Sequence, residues 1–171
     1  MSKKSIGAIL AITEDGVMGN GRDLPWPKGE IKGDLPHFKK VTENSVVIMG
    51  GKTFESLGGV PLPNRINIVV SSTLRDEVPG AYVYPSIPLA LGFAALHSKP
   101  IWFIGGAHLL DQVIKMGVLD KLWITRVRGS YEGDVLLQWD ADFLYDQGFV
   151  RTSNEPISDG MASIEYWGLA L

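Results

Sequence analysis

The sequence predicts an α/β protein with a mostly parallel central sheet, flanking helices and an antiparallel edge hairpin at its C-terminal end. Three observations carry this. Two β-branched apolar runs, Val46-Val47-Ile48-Met49 and Ile101-Trp102-Phe103-Ile104, each stop at a Gly-Gly pair (Gly50-Gly51, Gly105-Gly106) and hand over to a helical pattern. Other strand-like and helix-like stretches alternate between them, the mark of parallel strands joined by crossover helices. After Leu119 the alternation gives way to three strand-like runs, two of them separated by Ser158-Asp159-Gly160, which reads as a hairpin turn.

Ser5 to Thr13 reads as a buried strand, followed from Glu14 to Gly33 by a long loop rich in glycine and proline, which should lie over a site. Asp34 to Glu43 is a short helix, Ser45 to Met49 a strand and Thr53 to Leu57 a helical turn. Pro61 to Asn64 has turn chemistry and Asn67 to Ser71 is the next strand. Ala81 to Tyr84 is a weaker strand before a helix over Ile87 to Leu96. The strand Ile101 to Ile104 precedes a helix from Ala107 to Met116 that buries Leu109, Leu110, Val113 and Ile114. Leu122 to Val127, Phe149 to Asn154 and Ser163 to Leu169 complete the set.

Composition narrows the function classes. The 171 residues suit one domain, since domains run to roughly 100–200 residues, and a single domain over residues 1–171 is expected. Sixteen Lys and Arg against nineteen Asp and Glu leave a net charge of −3, giving no electrostatic case for nucleic acid or an acidic membrane. No apolar stretch is long enough to cross a bilayer and no secretory leader is visible, so a cytoplasmic location is expected. The absence of cysteine excludes disulfides and thiolate metal sites, and His37, His97 and His108 lack ligand spacing; no metal is expected.

Chemistry is suggested in two places. A strand that ends in glycine at a helix start lets backbone N–H groups approach a phosphate, with the positive end of the helix dipole behind them. Two such junctions could hold two ends of one dinucleotide, although each alone could simply close a βα turn. The second place is Asp34, an acid in apolar company with Leu35, Phe38 and Leu24-Pro25-Trp26 around it. A carboxylate there would anchor a ligand with paired N–H donors, such as an aminopyrimidine ring. Asp34 ahead of Pro36 also fits an ordinary helix N-cap, and the sequence leaves both readings open.

Seven strings, in order along nearly the whole chain, resemble dihydrofolate reductase. They are Gly19-Asn20-Gly21-Arg22-Asp23-Leu24-Pro25-Trp26; Asp34 with Phe38-Lys39; Val47-Ile48-Met49-Gly50 with Lys52-Thr53-Phe54-Glu55-Ser56; Pro61-Leu62-Pro63-Asn64-Arg65 with Asn67-Ile68-Val69-Val70-Ser71-Ser72; Ile104-Gly105-Gly106; Thr125; and Gly133-Asp134. The resemblance implies the dihydrofolate-reductase-like fold. It also implies hydride transfer from C4 of NADPH to C6 of the dihydrofolate pterin, with a proton to N5. By that likeness Asp34 holds the pterin 2-amino group and N3, Thr125 supports it, and Trp26 positions a water. Ile9, Leu35, Phe38, Leu57, Leu62 and Ile104 would wall the pterin and benzoyl ring. Arg65 would pair with the glutamate α-carboxylate, where the bidentate fork matters.

On the cofactor side the resemblance maps Ala11, Met18, Gly19, Asn20 and Leu24 to the nicotinamide and its covering loop. Gly50, Gly51, Lys52, Thr53, Val70, Ser71, Ser72, Ile104, Gly105, Gly106, Ala107, His108, Leu109, Leu110 and Gln112 map to the dinucleotide. It implies a cis Gly105-Gly106 peptide, a monomer, and binding of antifolates such as methotrexate. Several positions depart from the family pattern. Gly51 stands where Arg or Lys usually grips the 2′-phosphate, with Lys52 one residue later, and His108 replaces a frequent arginine, leaving Ser71, Ser72, Lys52 and His108 or Arg75 for that phosphate. Leu110 replaces a common tyrosine and Val135 a common threonine. Three extra residues between Trp26 and Asp34 should make Pro27 to Gly33 bulge near the folate tail.

Three rival readings are weaker. Gly51-Lys52-Thr53 resembles the tail of a P-loop, but the leading glycine would fall on Val46, inside the strand. The riboflavin-pathway pyrimidine reductases share the fold but lack this combination of Leu24-Pro25-Trp26, Asp34 and Arg65. A non-catalytic binding module would not need Asp34 and Thr125 together.

Overall fold

The computed structural model describes residues 5–19, 24–27, 29–74 and 78–170. Among these residues ten strands and five α-helices follow one another as β1 (Ile6–Thr13), β2 (Val17–Gly19), α1 (Asp34–Thr42), β3 (Val46–Gly50), α2 (Gly51–Ser56), β4 (Ile66–Val70), β5 (Ala81–Tyr84), α3 (Ile87–Ala94), β6 (Ile101–Gly105), α4 (Ala107–Lys115), β7 (Lys121–Val127), β8 (Val135–Leu136), α5 (Ala141–Asp146), β9 (Phe149–Ile157) and β10 (Ala162–Leu169). Eight strands form one sheet in the order β5-β4-β3-β6-β1-β7-β10-β9, and β2 pairs with β8 in a separate ribbon. The pairs from β5 to β7 are parallel, whereas β10 is antiparallel to both β7 and β9. The mostly parallel sheet with an antiparallel C-terminal edge is therefore as the sequence predicts.

Burial on both faces explains why the inner strands read as continuous apolar runs. Along β1 the side chains alternate: Ala8, Leu10 and Ile12 enter one core with α3, α4 and α5, while Ile9 enters the core on the opposite face. That opposite face carries α1 and is where the candidate site forms. The outermost strand, β9, is exposed through most of its length and contains Pro156, which an edge strand tolerates because one side of its ladder is unpaired.

Three elements are additional to those expected: β2, β8 and α5. The long loop expected over Glu14 to Gly33 contains β2, whose residues pair with β8 through Val17↔Leu136 and Gly19↔Val135. Pairings between three-residue and two-residue segments more than a hundred positions apart leave no local periodicity. Helix α5 did carry a signal, since Asp140 caps it by accepting a 2.9 Å bond from Phe143 N–H. Among the described residues no helix is long and apolar enough to cross a membrane.

Candidate active site

Strands β1 and β7 bring the central pair together. Ala11 and Thr125 are register partners, as are Ile9 and Trp123, and these side chains lie toward α1. Helix α1 starts after Gly33, whose φ of 99° is in the left-handed region that glycine adopts freely. Asp34 is thus the first helical residue, not the cap, and no side chain caps this helix. The N-cap reading is corrected: the carboxylate turns away from the helix end and accepts a 2.7 Å hydrogen bond from Thr125 Oγ1. Burial pushes the Asp34 carboxyl above the ordinary carboxylate range, while the Thr125 bond and the charge of His37 pull it partly back.

Five of the expected ring-wall residues meet in one cluster. Ile9, Phe38, Leu57, Leu62 and Ile104 pack with Val47, Met49 and Phe54. Leu35, beside Asp34, is 55% exposed and makes no core contact, so its apolar surface is free for a ligand. Trp26 is buried in a separate cluster with Ile31, Val127 and Ala162, its ring edge-on to Tyr131 at 6.0 Å. Arg65 is held from two sides: Nε donates to Thr42 Oγ1 at 2.9 Å and Nη1 to the Pro63 carbonyl at 3.1 Å. Its guanidinium carbon lies 5.9 Å from the centre of the Phe38 ring, which ties this charge to the apolar wall.

The two glycine junctions form one cradle, not two separated ends. Strands β3 and β6 are neighbours, and a Cβ built on Gly50 would stand 3.8 Å from Gly106 N and 3.9 Å from Gly105 O. Cβ atoms on Gly105 or Gly106 would each come within 3.4 Å of Thr53 Oγ1, and one on Gly105 would also come within 3.4 Å of Met18 Cε. The Gly105-Gly106 peptide is cis, matching the expectation. Neither α2 nor α4 has a side-chain cap at its start, which leaves first-turn N–H donors for an anion to satisfy. A phosphate-rich dinucleotide therefore fits the residues present.

The remaining cofactor positions divide. Lys52, Ser72, His108 and Gln112 are exposed, with His108 Nε2 and Gln112 Nε2 2.7 Å apart. Ser71 Oγ lies 3.6 Å from a Cβ position on Gly51 and accepts from Leu74 N–H at 3.0 Å; Val70 ends β4 beside it. Ala107 opens α4, but Leu109 and Leu110 point into the core, so only their backbone can reach a ligand. Leu24 is 45% exposed, Ala11 packs in the Trp26 cluster, and Gly19 closes β2. Asn20 and Arg75 lie outside the described residues.

Two findings correct or extend the sequence reading. The segment leading into Asp34 does not approach Arg65: Lys32 N–H donates to Ser158 Oγ at 3.1 Å, and a Cβ on Gly33 would touch Ile157, so it packs on the β9–β10 turn at the other end of the sheet. A buried acid, Glu165, was missed. It accepts from Arg126, Arg151 and Trp167 Nε1 at 3.1, 3.3 and 3.0 Å, which neutralises it as a structural ion pair. Among the described residues Asp34 has no such cationic clamp.

A parallel sheet with an uncapped glycine cradle at the carboxyl ends of two adjacent strands, and one half-buried acid with no salt bridge among the described residues, defines a small dinucleotide-dependent α/β enzyme. Comparison with known proteins makes the assignment particular. The family model for dihydrofolate reductase matches residues 5–155. The dihydrofolate reductase of Bacillus subtilis is 38% identical over 129 residues, 75% of this chain and 73% of that protein. A bifunctional dihydrofolate reductase-thymidylate synthase of Paramecium tetraurelia is 36% identical over 138 residues, 80% of this chain but 29% of that protein. Among solved structures, a dihydrofolate reductase of Enterococcus faecalis complexed with NADP(H) and RAB-propyl superposes with a TM-score of 0.81 at 27% identity, covering 98% of this chain and 97% of that one. The chain belongs to the dihydrofolate reductase family.

Proposed function

We propose that this chain reduces 7,8-dihydrofolate to 5,6,7,8-tetrahydrofolate, with Asp34 as the acid that orients the pterin and Thr125 as its support. The single observation that carries this reading is the half-buried Asp34 carboxylate held by Thr125, with no Lys or Arg paired to it among the described residues. NADPH, held at the glycine cradle, would supply the hydride from nicotinamide C4 to pterin C6, becoming NADP+. The electron pair of the C6=N5 bond takes a proton at N5, which balances the reduction. Asp34 serves this by holding the pterin 2-amino group and N3, and its carboxyl, which burial keeps protonated to higher pH than an exposed acid, favours protonation of N5. Ile9, Phe38, Leu57, Leu62, Leu35 and Ile104 exclude water from the ring, and Arg65 receives the α-carboxylate of the glutamate tail. Gly50, Gly105, Gly106 and the first turns of α2 and α4 would hold the pyrophosphate, with Lys52, Ser71 and Ser72 available to the 2′-phosphate.

A continuous sheet built from residues 6 to 169 supports one domain, and we read the protein as a cytoplasmic monomer that binds antifolates such as methotrexate. The test follows NADPH absorbance with dihydrofolate as acceptor, for wild type and Asp34→Asn across pH 5 to 9, an approximate window around the titrating groups. Asp34→Asn should lose most hydride transfer at neutral pH and regain part as the pH falls and substrate is protonated from solution. Rates like wild type across that range would remove Asp34 from the chemistry.

A further inference from the structure

Among the described residues, His37 is the titratable side chain that acts on Asp34 and that the reaction above does not use. It lies three residues on in α1, a spacing that places two side chains on the same helix face about 5–6 Å apart at Cβ. Its ring meets Trp123 edge-on at 4.8 Å, and Trp123 lies two residues before Thr125 on β7. Nε2 of His37 is shielded from solvent and has no hydrogen-bond partner among the described residues. A proton added there would gain no hydrogen bond, so only neighbouring negative charge could compensate it.

We propose that His37 acts through Asp34 as a positioning residue, the two groups sharing one proton so that the imidazole sets when the active-site carboxyl is protonated. This rests on Asp34 being the active-site acid. With one proton on the pair, it can sit on Asp34, leaving both groups neutral, or on His37, leaving an imidazolium beside a carboxylate. The second arrangement withholds the proton from Asp34. The groups facing His37 are Asp34 and Lys40 on its own helix and Glu155 on β9; Tyr166 on β10 stacks on the far side of the intervening Trp123, at 4.5 Å. Burial lowers the affinity of the imidazole for a proton, Asp34 and Glu155 raise it, and Lys40 lowers it. Asp34 is the largest of the charge effects, so the coupling runs chiefly between these two.

Two measurements test the proposal. The first is an NMR titration of the apo protein, with the His37 signal assigned as the one lost in His37→Phe among three histidines. Removing the charge in Asp34→Asn should move the His37 midpoint to lower pH; an unmoved midpoint overturns the coupling whatever the enzyme does. The second is the pH profile of single-turnover hydride transfer in wild type, His37→Phe and His37→Gln. Both variants should keep activity to higher pH and titrate as a single proton step, because Asp34 no longer competes for its proton. Profiles that superimpose on wild type overturn the proposal. If instead Asp34→Asn has wild-type rates, it is the assignment of Asp34 to the chemistry that fails, and the two failures are thus distinguishable.

Discussion

Thr125 Oγ1 donates to Asp34 Oδ1 at 2.7 Å across 91 residues of chain, joining the start of a helix to the middle of a strand. A hydrogen bond to an ionised acceptor contributes about 1.5–3 kcal/mol. Thr125→Val, which keeps the branched shape, should therefore lower kcat/KM for dihydrofolate by roughly ten- to a hundred-fold. It should also move the alkaline fall of hydride transfer to higher pH, because the bond favours the ionised form. Thr125→Ser should recover most of both. An unchanged profile in the valine variant would show that the bond does not govern the carboxyl.

Asp34 also has a stability signature. Burial raises its folded-state pKa above the unfolded value of about 3.9, so the native state binds more protons between the two values. Its contribution to stability is full below the unfolded pKa and is lost as the pH rises through the folded one. Asp34→Asn, which removes the buried charge, should raise Tm at pH ~8, with the gain shrinking as the pH falls toward ~4. Thermal melts across that range read this directly, and a gain that grew in acid would contradict the assigned burial effect.

Arg65 should discriminate between ligands by their tails. Arg65→Ala should weaken methotrexate or folate by roughly ten- to a hundred-fold through loss of a charge-assisted pair, and leave a diaminopyrimidine without a glutamate tail nearly unaffected. Because Nε is engaged by Thr42, the guanidinium is held in a fixed orientation, and Arg65→Lys should recover little. Titration calorimetry with both ligands gives the comparison; equal losses would place Arg65 outside the tail site.

Gly133 lets the segment before β8 lie directly on β2. A Cβ there would stand 2.3 Å from Gly19 O and 2.5 Å from Val17 Cγ1, and the first of these is backbone that cannot rotate away. Gly133→Ala should displace the β2–β8 ribbon and cost about 1–3 kcal/mol of stability, as overpacking does. With Met18 moved from the Gly105 side of the cradle, KM for NADPH should rise. A crystal structure with β2 unmoved, or unchanged NADPH kinetics, would show that this contact does not hold the cradle's cover.

What the sequence determined by itself was mostly local. The β-branched runs ending in Gly-Gly, the helical spacing after them and the turn residues at 158–160 specify elements whose signals lie within a few positions, and the mostly parallel sheet follows from their alternation. The ordered motifs around Leu24-Pro25-Trp26, Asp34, Arg65 and Gly105-Gly106 carried the family. Tertiary structure alone decided whether Asp34 was a cap or a site, because that depends on Thr125 arriving from a strand 91 positions away. It also decided that the glycine junctions abut, since β3 and β6 are neighbours only through the strand order. The β2–β8 ribbon, the buried Glu165 with its two arginines, and the shielded His37 nitrogen were invisible for the same reason: pairing and desolvation are properties of distance in space, and one-dimensional spacing does not encode them.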